Sequence, residues 1–238
     1  MDVILIPGFW LDGDSWSAVV PAIEAAGHRA HPVTRPGLES VDADRSGVTL
    51  ASTIASIVDL VDGFDVPVVL VGHSGGGPIA QGVADARPDR VARLIFVDSG
   101  PLVDGGVIND ELPVVGDAVP LPDWSLFLDD DLVDLDEGLR AEFAARAIPE
   151  PLHVAIDPLV LRDARRFDVP ATVIACEFPT SQLLEWLEAG VPFTAELANL
   201  RDVAYRDLPT GHWPQFTRPA ELGAIIGEEA SRPAGVQA

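Results

Sequence analysis

Residues 68–77 of the chain read VVLVGHSGGG, an uninterrupted apolar run followed by a glycine-rich turn. An apolar run of this length is typical of a strand that is buried on both faces inside a parallel sheet. Residues 74–86 after the turn favour a helix, which ends before Pro88. The stretch therefore predicts a strand, a tight turn and a helix, with Ser74 at the turn.

The same alternation of apolar strands and helical segments continues on either side of this stretch. We predict strands at residues 3–6, 29–33, 67–71, 91–97, 171–175 and 203–208, and helices at residues 15–26, 49–61, 74–86, 183–187 and 219–230. Alternation of this kind predicts the α/β class: a mostly parallel sheet of about six strands with helices on both faces.

The alternation stops between Val97 and Val169, where prolines and an acidic run at residues 129–131 precede a predicted helix. A segment of this length without a strand is usually a lid or an inserted cap. We therefore predict a single domain over residues 1–238, with a helical cap inserted at about residues 101–168. We expect the acidic run to be solvated rather than to bind a metal, and the tail beyond Ser231 to be frayed.

Composition narrows the range of partners. The formal net charge of −23 disfavours nucleic acid and anionic membranes. All fifteen basic residues are arginine, which excludes a Schiff-base lysine and a phosphate-loop lysine. No uncharged apolar run approaches the roughly 20 residues of a membrane-spanning helix. A single cysteine, Cys176, permits no internal disulfide, and the first residues lack a secretion signal, so we expect a cytoplasmic protein.

Ser74 lies between Gly72 and Gly76, two residues away from each. A serine on a sharp strand-to-helix turn has a strained backbone, and side chains at those two positions would collide with it. The turn exposes the hydroxyl at the carboxyl end of the sheet, and the start of the helix favours a developing oxyanion. This context favours a nucleophile over a chance match, and a phosphate loop would require a lysine.

A serine nucleophile requires a base, and histidine is suited to that role because its pKa is near neutrality. His212 lies in the segment LPTGHWP at residues 208–214, between the last predicted strand and the last predicted helix. The loop leaves the same edge of the sheet as the turn at Ser74. We therefore predict His212 as the base, and we expect His73 to brace the turn.

The segments IPGFW at residues 6–10, AAGH at residues 25–28 and GHWP at residues 211–214, together with the serine turn, resemble the α/β-hydrolase superfamily. Within it, the chain is similar to the plant methylesterase and hydroxynitrile-lyase group and its bacterial relatives. The resemblance implies an α/β-hydrolase fold and an oxyanion hole formed by the backbone N–H groups of Phe9 and Gly75. Relatives often have His-Gly where this chain has Pro7-Gly8, but main-chain donors do not depend on that side chain. Each such donor contributes about 3 kcal/mol of transition-state stabilisation.

The resemblance also exposes a gap in the triad. Relatives carry the acid three residues beyond the glycine or cysteine that ends the next-to-last strand, and that count from Cys176 reaches Pro179. Some members of the superfamily, haloalkane dehalogenases among them, take the acid from the preceding strand, which here ends at Asp98. We favour Asp98 as the acid, with Glu177 as the alternative. A capping role for Asp98, a solvated charge at Glu177 and the absence of any triad acid remain open.

A serine nucleophile, a histidine base and a backbone oxyanion hole favour acyl transfer. We predict a hydrolase that cleaves a small-molecule ester, thioester or lactone through an acyl-enzyme, with no cofactor and no metal. One alternative is a hydroxynitrile-lyase-like reaction, but the plant enzymes of that kind employ a lysine. A second alternative is a non-catalytic receptor for a small ligand on the same fold.

Aromatic residues suggest the nature of the substrate. Trp124 and Phe127 lie in the predicted cap, while Trp10 and Trp213 are close in sequence to the expected site. Together they predict a substrate pocket for an apolar or aromatic group, although core packing would account equally well for the tryptophans. The acidic surface disfavours anionic substrates, so we expect a neutral one.

Overall fold

Strands and helices alternate along residues 1–233 and 235, which are the residues described by the computed structural model. The expectation for the tail beyond Ser231 therefore falls largely outside the described residues. The elements are β1 (Asp2–Ile6), α1 (Val20–Ala25), β2 (Arg29–Pro32), α2 (Leu50–Asp62), β3 (Val68–His73), α3 (Gly76–Ala86), β4 (Val91–Val97), β5 (Ala118–Val119), α4 (Glu137–Arg146), β6 (Glu150–Pro151), α5 (Leu152–Ile156), β7 (Ala171–Ala175), α6 (Thr180–Glu188), β8 (Val203–Asp207), α7 (Pro214–Thr217) and α8 (Pro219–Ala230).

Six of these strands form one parallel sheet in the order β2-β1-β3-β4-β7-β8. Successive residues of a strand point to opposite faces, and both faces are covered here. Ile4 and Leu70 pack with helices α2 and α3 on one face, while Leu5 and Val71 pack with α1 and α8 on the other. The predicted six-stranded sheet with helices on both faces is confirmed.

The first predicted helix, at residues 15–26, is interrupted. Residues Gly13–Trp16 form a short 3₁₀ helix, and α1 begins only at Val20, with Pro21 in its first turn. Proline has no backbone N–H and its ring collides with the carbonyl four residues earlier, so the helix cannot extend back through it. Proline is compatible with the first turn, where the N–H has no partner in the helix.

The segment between β4 and β7 differs in part from the predicted helical cap. It contains α4 and α5, but β5 and β6 also pair as a short antiparallel sheet. Glu150 on β6 is buried and binds Arg35, which belongs to the loop after β2, through two hydrogen bonds of 2.6 and 2.9 Å. This segment between β4 and β7, which we call the insertion, is thus joined to the loop after β2 by a buried ion pair. Among the described residues, no helix is long and apolar enough to cross a membrane.

Candidate active site

Ser74 follows β3 directly and has a left-handed backbone with φ of 50°. A Cβ at Gly72 would collide with the carbonyl of Gly76, and a Cβ at Gly76 would lie 2.5 Å from the carbonyl oxygen of Ile6. Glycine is therefore required on both sides of the serine. The hydroxyl of Ser99 donates to the Ser74 carbonyl at 2.7 Å, which fixes the strained turn from the next strand.

His212 reaches Ser74 from the loop between β8 and α7. Its Nε2 lies 2.8 Å from Ser74 Oγ. Its backbone N–H donates to the carbonyl of Asp131 at 2.8 Å, and the N–H of Gly211 donates to that of Val133 at 3.0 Å. Two hydrogen bonds to the insertion therefore hold the loop that carries the imidazole.

His73, the last residue of β3, also holds this loop. Its ring is fully buried, and burial, with a smaller effect of the charge on His212, lowers its pKa to about 3. The ring is thus neutral, and its Nε2–H donates to the carbonyl of His212 at 2.6 Å. Gln215 Nε2 donates to the other ring nitrogen at 3.2 Å. His73 therefore connects the serine strand to the histidine loop in addition to lying at the turn.

Two carboxylates contact Nδ1 of His212: Asp98 Oδ2 at 2.7 Å and Glu177 Oε1 at 2.8 Å. The Asp98 side chain is 3% exposed, and its second oxygen accepts from the backbone N–H groups of Cys176 and Glu177 at 3.1 and 3.3 Å. The Glu177 side chain is 21% exposed. The structure thus brings both of the expected candidate acids to the imidazole, and Asp98 is the more firmly held.

The pair of carboxylates changes the basicity of His212. Burial of the ring acts to lower its pKa, but hydrogen bonds to Asp98 and Glu177, and the charges of both, outweigh that effect and raise the pKa to about 10. The same three residues could ligate a metal ion, because one donor atom of each lies within 4.8 Å of the others. A metal there would have to displace the proton on Nδ1 that both carboxylates bind.

Asp131 is a further site residue, which sequence analysis assigned to a solvated acidic run. Its carboxyl group accepts from the N–H of Leu128 at 2.8 Å, and Glu177 is close enough to act on its ionisation. Burial, followed by the charge of Glu177, raises the pKa of Asp131. Asp129 and Asp130 are exposed as expected. Nothing in the local sequence distinguishes Asp131 from its two neighbours, because only the fold of the insertion turns it inward.

The residues expected at the oxyanion hole lie beside the serine. Phe9 and Gly75 both line the cavity that contains Ser74. A Cβ on Gly75 would lie 2.7 Å from the Phe9 ring, and a Cβ on Gly8 would lie 2.9 Å from Ser74 Cβ. Trp10 has a left-handed φ of 64°, the kind of backbone strain that occurs at functional sites. The Phe9 ring therefore lies against the backbone of Gly75 beside the serine, and the oxyanion hole formed by these two residues stays a prediction.

The cavity in front of Ser74 has a volume of about 800 Å³. Of the four aromatic residues expected to line it, Trp10 and Phe127 do so. Trp124 and Trp213, also expected there, are not among its lining residues, and their rings pack edge to face at 5.7 Å. Trp213 is 2% exposed. Both rings also contact the ring of Phe127, so they pack behind a residue of the cavity wall.

Known proteins share this architecture. A model of the alpha/beta hydrolase family matches residues 3–225. Pyrethroid hydrolase of Sphingobium wenxiniae is 26% identical over 249 residues, which covers 98% of this chain and 89% of that protein. Methylesterase 8 of Arabidopsis thaliana is 34% identical over 102 residues, or 40% of this chain and 36% of that protein.

The fold is also found among solved structures. An extracellular α/β-hydrolase from a Paenibacillus species superposes with a TM-score of 0.78 at 21% identity, covering 98% of this chain and 100% of that one. The resemblance to α/β-hydrolases and to the plant methylesterase group is thereby confirmed. The strained turn at Ser74 and the family model that matches residues 3–225 agree, and this chain belongs to the alpha/beta hydrolase family.

Proposed function

We propose that this chain is a serine hydrolase that cleaves a small-molecule ester, thioester or lactone through an acyl-enzyme. The observation that carries the proposal is the continuous hydrogen-bonded chain from Ser74 through His212 to Asp98, with contacts of 2.8 and 2.7 Å. A nucleophile, a base and an orienting acid in this order are the parts that acyl transfer requires.

The reaction follows from these positions. Ser74 Oγ attacks the substrate carbonyl while His212 Nε2 takes its proton, and Asp98 holds the imidazole by its Nδ1–H. The backbone N–H groups of Phe9 and Gly75 stabilise the oxyanion, each by about 3 kcal/mol. His212 then protonates the leaving alcohol or thiol and activates a water that releases the acid. No step of this reaction uses a metal or a cofactor.

The charges in the cavity disfavour an anionic substrate. Four carboxylates line it, those of Asp98, Glu111, Asp131 and Glu177, and among the described lining residues His212 carries the only basic side chain. A cleft lined with one sign of charge repels ligands of that sign. The lining rings of Phe9, Trp10 and Phe127 suit an apolar or aromatic group.

The two alternative functions are less well supported. The resemblance to hydroxynitrile lyases implies a lysine near the leaving anion, and this chain has no lysine. A receptor needs no aligned nucleophile and base, whereas Ser74 and His212 lie at hydrogen-bonding distance. We infer further that about residues 101–168 act as a lid over the cavity. The cytoplasmic location stays a prediction.

The test combines covalent labelling with turnover. A fluorophosphonate probe is expected to label the wild-type protein at Ser74, and a panel of neutral esters and lactones is expected to be hydrolysed. Ser74→Ala should abolish both, because among the described residues no other hydroxyl is paired with His212. Ser181→Ala, at an exposed serine of α6, is the matched control and should retain both. Ligand binding without labelling or turnover would instead indicate a receptor.

A further inference from the structure

The backbone N–H groups of Phe9 and Gly75 are free donors beside Ser74. Among residues 1–233 and 235, no hydrogen bond uses either of them, although both residues are buried and line the cavity. Buried backbone donors are nearly always paired, so two free ones beside a nucleophile support the predicted oxyanion hole. The Gly75 donor belongs to the turn into α3, whereas the Phe9 donor lies on the loop after β1 and needs its own support.

Arg35 holds the other side of the peptide group that carries the Phe9 N–H. Its Nη2 donates to the carbonyl of Gly8 at 2.9 Å, and that carbonyl belongs to the same peptide group. The described part of the chain has no cis peptide bond, and in a planar trans peptide the C=O and the N–H point in opposite directions. A contact that fixes the carbonyl therefore fixes the direction of the N–H.

The charge of Arg35 acts on the same peptide group. Its side chain has no exposed surface, and the guanidinium also binds both carboxylate oxygens of Glu150, at 2.6 and 2.9 Å. Hydrogen bonds from a charged donor are about twice as strong as neutral ones. Hydrogen bonds in series polarise one another by about 10–30% per bond. The guanidinium therefore makes the Phe9 N–H a stronger donor as well as a better oriented one.

The insertion supports the neighbouring residue of this loop, but not the peptide group itself. Trp10 has a left-handed backbone, and its Nε1 donates to the carbonyl of Val119 at 3.0 Å. Among the described residues, Arg35 alone donates to the carbonyl of Gly8. The Phe9 N–H therefore depends on the guanidinium for its direction.

We propose that Arg35 is a positioning residue for catalysis, which orients and polarises the Phe9 N–H as a donor to the oxyanion. The inference rests on the proposed ester hydrolysis. Arginine suits this place because its planar guanidinium spans the carboxylate and the carbonyl together, which a single ammonium cannot do. The buried pair of Arg35 and Glu150 thus links the insertion to the rate of the reaction as well as to the stability of the fold.

The test separates activity from stability. In the double variant Arg35→Met and Glu150→Leu, neither charge of the pair stays buried, so the fold is expected to remain while the Gly8 carbonyl loses its donor. We expect kcat for a neutral ester such as phenyl butyrate to fall about thirtyfold, with KM within about threefold. The fall is smaller than the roughly 10²–10³-fold that loss of an oxyanion donor causes, because the Phe9 N–H is still present.

Two readouts distinguish this effect from a general loss of structure. A trifluoromethyl ketone forms a tetrahedral adduct with the serine, and the oxyanion of that adduct occupies the hole, so its affinity should fall by about the same factor as kcat. The acid limb of the pH profile of kcat/KM should not move. None of the hydrogen bonds of Arg35 is to His212, and the double variant leaves the net charge unchanged.

Two single variants provide the controls. Glu150→Gln keeps Arg35 beside the Gly8 carbonyl and is expected to be the less stable protein, yet its kcat should fall much less than that of the double variant. Arg45→Met removes another arginine of the loop after β2, one that donates to the carbonyl of Pro149 at 2.8 Å in the insertion, and it should leave kcat unchanged.

Wild-type values of kcat and of inhibitor affinity in the folded double variant overturn the role of Arg35, while ester hydrolysis by Ser74 stands. An equal loss in either control does the same, because the cause would then be a weakened fold. If circular dichroism shows that the double variant does not fold, Arg35→Lys keeps the buried pair without the fork and is expected to show the loss instead. Failure of the wild-type protein to hydrolyse the ester overturns both proposals.

Discussion

At the scale of single residues, the unusual feature is that two carboxylates share one nitrogen of His212. Asp98 is the better candidate for the orienting acid because it is nearly buried and its second oxygen accepts two backbone N–H groups. Glu177 is more exposed and follows Cys176, the first residue after β7. We infer that Asp98 orients the imidazole and that Glu177 mainly raises its pKa.

The two carboxylates should respond differently to amide substitution. In Asp98→Asn, the amide oxygen is needed by the two backbone N–H groups, so the NH₂ group faces Nδ1 and opposes the productive tautomer. The equivalent change in a serine triad lowers kcat about 10⁴-fold, and we expect about 10³-fold here because Glu177 remains. In Glu177→Gln, the side chain can turn its oxygen to Nδ1, so kcat should fall less than about tenfold.

Glu177→Gln should also shift the pH dependence. The base acts in its neutral form, so kcat/KM is lost as the pH falls through the pKa of His212, which the two carboxylates raise to about 10. Removing one negative charge lowers that pKa, and the acid limb of the profile should move to lower pH. A pH profile of kcat/KM for both variants checks this expectation. If Glu177→Gln loses as much activity as Asp98→Asn, Glu177 is the orienting acid.

At the scale of elements, the insertion is part of the support for the base. Residues 131 and 133 accept the N–H groups of His212 and Gly211. The side chain of Asp134 binds both Thr210, within the same loop, and Arg218, at the end of α7. The loop between β8 and α7 is therefore fixed by contacts from the insertion as well as by the sheet.

Gly211 is the point of closest approach between these elements. A Cβ there would collide with the carbonyl of Asp131 and would lie 2.7 Å from that of Val133. Gly211→Ala should push the loop away from the insertion and displace the imidazole. A displacement of about 1 Å can lower the rate about 10²-fold, so we expect a fall of that order in kcat with a smaller change in KM.

The matched control for this change is Gly63→Ala, at the end of α2, where the nearest atom to a new Cβ is 3.2 Å away. It should keep kcat within about twofold, as surface substitutions remote from functional features generally do. Steady-state kinetics on both variants, together with circular dichroism, separate displacement of the base from loss of the fold. A kcat near that of the wild-type protein in Gly211→Ala would show that the insertion does not hold the base.

At the scale of the whole molecule, the pair of Arg35 and Glu150 joins the insertion to the sheet. Both side chains have no exposed surface, and Arg35 also donates to the carbonyl of Gly8 at 2.9 Å, next to the expected oxyanion hole. Breaking a buried pair leaves an uncompensated charge and destabilises a protein by about 3–5 kcal/mol. Glu150→Gln should therefore lower the free energy of unfolding by about 3 kcal/mol, measured by urea denaturation.

Two further variants give this prediction its controls. Glu142→Gln removes an exposed partner of Arg146 at 3.9 Å and should change the free energy of unfolding by less than about 0.5 kcal/mol. Replacing both partners, in the double variant Arg35→Met and Glu150→Leu, leaves neither charge of the pair buried. It should lower the free energy of unfolding by less than Glu150→Gln alone does. A double variant that is less stable than the single one would contradict an explanation based on the unpaired charge.

The sequence alone determined the sheet, the serine turn and the histidine loop. Each of these depends on a short stretch: apolar runs that form buried strands, glycines at the two positions where a side chain would collide, and a loop at the end of the last strand. Residues 68–77 therefore predict strand β3 and the turn at Ser74, because their constraints come from neighbours within a few residues.

Only the tertiary structure decided which residues remote in sequence contact His212. Asp98 and Glu177 are 114 and 35 positions away from it, and both reach Nδ1 because parallel strands end at one edge of the sheet. Asp131 faces inward, and Trp124 and Trp213 pack behind the cavity in front of Ser74, because of how the insertion folds over that edge. Such contacts depend on packing between remote segments, which no local pattern encodes.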